Sequence, residues 1–183
     1  MQAGFGALSH SWLSSRIAIT CARNMRSATL DKGNFMEIRT MTDEQRRGIA
    51  LEYIKRLDRG EDIFDLFDKN ALLYFPKWGL ARGHDEIRRL FGDLLSTLAE
   101  VTHDVIYPNV IQQGDMVVLE STTYGKTKKG VEWRAGLTHA GRWCDVFEIR
   151  DFKIQRLSIY LDPDYEGADT QRYPWLEASR QPR

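Results

Sequence analysis

The sequence predicts an α+β fold, with helices covering one face of a bent, mostly antiparallel sheet. Three observations predict it. Helical patterns come first and strand patterns follow, in the order helix, helix, strand, helix, then a run of strands. One helix, opened at Gly83-His84-Asp85, places Ile87, Leu90, Phe91, Leu94, Leu95 and Leu98 at i, i+3, i+4, i+7, i+8 and i+11. A whole face of it is apolar and must pack on something broad. Last, Gly141–Tyr165 alternates with period two over two strands joined at Arg150-Asp151-Phe152-Lys153.

The chain has 183 residues, enough for one ordinary domain and its tails. Residues 1–40 read as an extension outside the fold. Up to Leu30 there is no acidic residue, while Arg16, Arg23, Arg26 and several serines are present. That composition matches a transit segment. A reading frame extended upstream of Met36 or Met41 would look the same.

The folded domain is placed at 41–165, with a tail at 166–183. Thr42 and Gln45 form a capping box, and a helix runs from there to about Asp58. Its apolar stripe is Ile49, Tyr53, Ile54 and Leu57, and Gly60 terminates it. A short second helix is expected over Asp62–Phe67 and a strand over Ala71–Phe75, before Pro76 and a Lys77-Trp78-Gly79 loop. After the third helix come strands at Val101–Ile111, Met116–Tyr124 and Val131–Leu137, the last two joined by the turn at Gly125–Gly130. The Gly141–Tyr165 hairpin completes the sheet, and Pro163 ends it.

Composition excludes several classes. Lysine plus arginine and aspartate plus glutamate number 26 each, so no charge footprint suggests nucleic acid or an acidic membrane surface. No apolar run approaches the roughly 20 residues of a membrane span, and a cytoplasmic location is expected. Cys21 and Cys144 do not suggest a disulfide framework. There is no HExxH, no paired CxxC and no glycine-rich phosphate loop, so neither a metal nor a cofactor is expected.

One residue breaks the hairpin's pattern. Asp145 shares a face with Trp143, Phe147 and Ile149. A carboxyl aimed at aromatic, apolar neighbours must be hydrogen-bonded, ion-paired or protonated. It is either a working acid or a structural group bonded to Arg142 or a backbone amide.

The order of elements resembles the cone-shaped α+β barrel of the nuclear-transport-factor-like superfamily. That group includes ketosteroid isomerase, limonene epoxide hydrolase, scytalone dehydratase and the SnoaL-like polyketide cyclases. The marks are Leu57-Asp58-Arg59-Gly60, then Leu66-Phe67, then Arg82-Gly83-His84-Asp85-Glu86-Ile87, then Asp145-Val146-Phe147-Glu148-Ile149. The ending Leu161-Asp162-Pro163-Asp164-Tyr165 looks most SnoaL-like. The resemblance implies three N-terminal helices on a strongly bent sheet, an apolar pocket and a homodimer.

It also implies roles for residues. Tyr53 and Asp145 match the tyrosine and protonated aspartate of the isomerase oxyanion hole, in which an apolar site keeps a carboxylic acid neutral. The isomerase's base position is Phe75, and the working aspartate of the cyclases and hydrolases falls at Ile159. The hydrolase's arginine–aspartate pair falls near Ser121 and Thr123. His139, in the bend after Leu137, is therefore the acid–base candidate, with Glu120 and Tyr74 behind it. His84 reads as part of a helix start and His103, next to Asp104, as a surface strand residue. Phe75, Trp78, Trp143, Phe147, Leu157 and Ile159 are the expected substrate-lining residues. The function implied is cofactor-free acid–base chemistry of isomerase, cyclase or dehydratase type on a small hydrophobic carbonyl or polyketide-like molecule. The alternative is a non-catalytic ligand-binding or protein-interaction module of the same fold.

Overall fold

The structure, a computed structural model, describes residues 40–168. The readings of the N-terminal extension and the C-terminal tail fall almost entirely outside these residues. The elements in order are α1 (Asp43–Arg59), β1 (Phe67–Phe75), β2 (Gly79–Arg82), α2 (Gly83–Thr97), β3 (Leu98–His103), β4 (Asn109–Gln113), β5 (Met116–Thr127), β6 (Glu132–Arg134), β7 (Arg142–Arg150) and β8 (Lys153–Leu161).

Helix α1 starts and stops where its signals say. The Gln45 amide donates to Thr42 Oγ1 and the Thr42 amide donates to Gln45 Oε1, so two orphan donors are satisfied reciprocally. Gly60 turns left-handed at φ 66°, and its amide and that of Glu61 close on the Leu57 and Arg56 carbonyls. Ala50, Tyr53 and Ile54 are buried. Arg46 anchors the helix to the sheet by donating to the carbonyls of Ile149 and Met41 and to the Asp115 carboxylate. Helix α2 buries Ile87, Leu90, Phe91 and Leu94. Each such side chain contributes roughly 1.5–3 kcal/mol on leaving water.

The described residues contain two α-helices rather than the three expected. Asp62–Phe67 forms only a single 3-10 turn, Phe64–Leu66. The segment is too short to repay helix nucleation, and Phe67 already enters β1, where it is buried. The expected strand over Val101–Ile111 is two strands, β3 and β4, because Pro108 has no N–H to donate. Between them the Asp104 amide bonds to Thr122 and Asp104 Oδ1 accepts from Ile106. Val131–Leu137 shrinks to the three residues of β6. Strand β2 follows the Lys77-Trp78-Gly79 loop and has no counterpart in the sequence reading; positive φ at Lys77 and Gly79 returns the chain onto β1.

The sheet is mixed, in the order β2-β1-β8-β7-β5-β3, with β4 and β6 also paired to β5. Among the strands of the described residues, β1 and β8 are the one parallel pair. The order runs from β2 to β3 without closing. Strand β5 causes the curvature. Its first half pairs with β4 and β7, and its second half with β3 and β6. Along β7 the pattern holds as read: Trp143, Asp145, Phe147 and Ile149 face inward, under the helices.

Candidate functional site

Asp145 sits in the middle of β7, flanked in register by Leu119 on β5 and Ile159 on β8. Along its own strand the inward neighbours are Trp143 and Phe147. All four are apolar or aromatic. Asp145 is buried, and burial pushes its carboxyl well above its ordinary value, with no counter-ion among the described residues to offset it. Neither Arg142 nor any backbone amide among the described residues bonds it.

Tyr53 reaches the same place from α1. Its ring packs edge-on against Phe67 and Phe147, at centroid distances of 5.8 and 5.6 Å. Its hydroxyl is buried and has no partner among the described residues. Burial, then the nearby Asp145 carboxyl, raise its pKa. A buried donor left unpaired costs about 1–3 kcal/mol. Trp143 Nε1 is another buried donor without a partner among the described residues.

These groups line one cavity of about 50 Å³ between α1, α2 and the inner face of the sheet. Its wall includes Tyr53, Phe75, His103, Trp143, Asp145 and Ile159, together with leucines of both helices and Tyr165. Leu95, on α2, is 44% exposed and also lines it, so the wall meets solvent there. Tyr165 follows β8 and stacks on Trp133 at 4.5 Å. Burial, with Asp145 and Asp162 nearby, pushes its phenol up to about 12.

Of the expected lining residues, Phe75, Trp143 and Ile159 are here. Phe147 and Leu157 are fully buried core instead. Trp78 lies over a separate shallow groove, where its Nε1 donates to Asp93. His139 is absent from the lining of this cavity; both its ring nitrogens are buried without partners in the bend before β7. Glu120 and Tyr74 face outward from the sheet. Ser121 and Thr123 are occupied structurally: Ser121 donates to the Asp104 carbonyl and Thr123 accepts from Trp133 Nε1.

The histidine on the cavity is His103. Its side chain is only 14% exposed, so it is not the surface residue the sequence suggested. Its Nδ1 lies 2.5 Å from Asp58 Oδ1, and its backbone amide donates to Asp58 Oδ2 at 2.9 Å. Its ring packs edge-on against Trp143 at 5.4 Å. The sequence signal for this pair was faint. Asp58 stands in the last turn of α1, where the helix dipole disfavours an acid, and only the fold shows what it faces.

A family model, the SnoaL-like domain, matches residues 51–157, more than half of the chain. The chain belongs to the SnoaL-like domain family. No curated protein matches it. Among solved structures, this SnoaL-like domain is similar to an NTF2-like protein of unknown function from Burkholderia pseudomallei, at 14% identity and a TM-score of 0.58, covering 69% of this chain and 96% of that one. It is similar to TerC, co-crystallised with polyporic acid, at 16% identity and a TM-score of 0.56, covering 73% and 98%. It is also similar to SalBIII, an epoxide hydrolase/cyclase-like enzyme with a role in pyran ring formation in the polyether salinomycin. There the identity is 22% and the TM-score 0.53, covering 67% and 95%. These likenesses carry the NTF2-like fold. No helix among the described residues is long and apolar enough to cross a membrane.

Proposed function

We propose that this SnoaL-like domain is an enzyme of cofactor-free acid–base chemistry, acting on a small hydrophobic carbonyl compound through an enolate or enol. One observation carries the reading. Tyr53 and Asp145 bring a phenol and an uncompensated buried carboxyl to one apolar cavity. Kept protonated by its surroundings, Asp145 is a hydrogen-bond donor, and Tyr53 is another. Two preorganised donors in a dry site stabilise a developing oxyanion more than they stabilise a neutral carbonyl. Phe75, Trp143 and Ile159 hold the hydrocarbon part of the substrate. Self-association through the outer face of the sheet belongs to the same reading.

A second reading, a non-catalytic binding or interaction module, is favoured by the size of the cavity. At about 50 Å³ it is far below the ~300–1,000 Å³ typical of ligand pockets. The enzyme reading is preferred because a filled module core would gain by replacing Asp145 and the Tyr53 hydroxyl with apolar groups. The cavity size instead restricts the substrate to a compact molecule that enters beside Leu95.

The test uses p-nitrophenol, whose phenolate mimics an enolate and is seen by absorbance. The wild type should bind it as the phenolate. Asp145→Asn and Tyr53→Phe should each weaken binding about tenfold or more, the loss of one buried hydrogen bond, with circular dichroism unchanged. No binding by the wild type, or equal binding by both variants, would favour the module.

A further inference from the structure

We infer that His103, held by Asp58, is the general base of the same cavity, removing a proton from the carbon next to the bound carbonyl. This rests on the oxyanion reading above but uses different residues. An ionised carboxylate only accepts hydrogen bonds. Asp58 accepts two from one residue: the His103 amide on Oδ2 and the ring on Oδ1. The proton of the neutral ring is therefore on Nδ1, and Nε2 keeps the lone pair. The hydrogen bond of the ring among the described residues is the one from Nδ1, and the residue lines the cavity that holds Tyr53 and Asp145. Trp143 packs against the ring, so both neighbours of the imidazole restrict its orientation.

The placement of Asp58 supports the pairing. It lies near the negative end of α1, where a carboxylate is disfavoured. The two arginines of that turn are engaged elsewhere: Arg56 with Glu52 and Asp65, and Arg59 with Glu52 and Glu61. His103 is thus the cation partner left to Asp58 once the imidazole takes a proton. A tether between α1 and β3 would need only the backbone bond to Asp58. It would not need an imidazole on the residue that lines the cavity.

The chemistry balances without a co-reactant. The Nε2 lone pair takes the α proton. The C–H electron pair becomes the carbon–carbon double bond of the enolate, and the carbonyl π pair moves onto oxygen. Tyr53 and Asp145 donate to that oxygen, while Asp58 faces the imidazolium. After the imidazolium proton exchanges with solvent, delivery of a solvent hydron to the same carbon gives exchange, and delivery of the proton to the γ carbon of a β,γ-unsaturated ketone gives isomerisation. Asp58 is a positioning residue, and His103 is the catalytic one.

The experiment incubates the full chain with 2-cyclohexenone or cyclopentanone in D₂O and follows α-deuteration by NMR, with p-nitrophenol binding measured alongside. The wild type should accelerate exchange. His103→Gln should lower that rate about 100-fold, within the range general-base catalysis supplies, and leave p-nitrophenol affinity within about threefold. Asp58→Asn should slow exchange with the same retention of binding, a split that a merely structural tether would not produce. Asp145→Asn should weaken both. Exchange within about threefold of wild type in His103→Gln overturns the base assignment and leaves the oxyanion reading standing. So does a wild type that binds p-nitrophenol but exchanges neither ketone. A wild type that binds no p-nitrophenol but shows His103-dependent exchange would overturn the oxyanion reading and keep the base.

Discussion

Asp145 is where the chemistry of single residues is most exposed. Its environment is Leu119, Ile159, Trp143 and Phe147, and burial raises its pKa above 3.8. In the unfolded chain the carboxyl ionises near that value, and in the folded chain it holds its proton to higher pH. Across that window the folded state binds more protons, so stability is greatest below the unfolded pKa and is lost as pH rises through the folded one. Asp145→Asn cannot ionise and should escape this loss. Urea denaturation at a series of pH values should show the variant gaining on the wild type from about pH 4 upward. Parallel curves would mean that Asp145 is charged in the folded protein. The inward parity of Asp145 was legible in the sequence because strand alternation is local. His103 was not. Its neighbour Asp104 suggested a solvated strand, whereas its partner Asp58 lies 45 residues away on α1.

At the level of elements, β5 shows what a single strand has to satisfy. It bends between two ladders, and Gly125 sits at the crowded point. A Cβ there would fall 2.3 Å from the Glu100 carbonyl and 2.5 Å from the Trp133 ring. Neither the β3 backbone nor the buried indole can yield easily. Gly125→Ala should therefore cost about 3 kcal/mol, at the upper end of overpacking effects. Chemical denaturation would measure it, and a loss under about 0.5 kcal/mol, as at an ordinary surface site, would show that the sheet relaxes there. Sequence placed Gly125 in a hairpin turn, since glycine beside lysines reads that way. The structure keeps it in the strand and turns the chain at Lys128-Lys129-Gly130. The turn of the β7–β8 hairpin was legible to the residue, though the strands end at Arg142 and Leu161 rather than at Gly141 and Tyr165. Asp151 and Phe152 both take positive φ, as a two-residue turn demands, and Arg150 pairs with Lys153.

For the whole molecule, the outer face of the sheet is the feature left to account for. One register row crosses it: Ile111, Val118, Val146, Ser158, Tyr74 and Leu80. Ile111 is 67% exposed and Leu80 50%, and Tyr160 adds a further apolar surface at 52%, packed against Tyr74. The row is apolar except at Ser158, which is buried, and exposed apolar side chains on a sheet face are the kind of patch through which proteins associate. The expected homodimer would form here, burying the row of one copy on that of the other. Light scattering after size exclusion should give a dimer for the wild type and a monomer for Ile111→Lys/Tyr160→Lys. A monomeric wild type, or a double variant that stays dimeric, would place self-association elsewhere or remove it.

By itself the sequence determined the α+β class, the capped first helix, the apolar face of α2, the final hairpin and the inward carboxyl. Each depends on periodicity or capping within about a dozen neighbouring residues, and such patterns survive in one dimension. The tertiary structure alone decided that Asp62–Phe67 is not a helix, that β2 exists and that β5 serves two ladders. It also decided which histidine reaches the cavity. His139 is close to Asp145 in sequence but not on the cavity wall, whereas α1 and β3 meet only once the sheet has curved. That curvature brings Asp58, His103, Tyr53 and Asp145 into one neighbourhood.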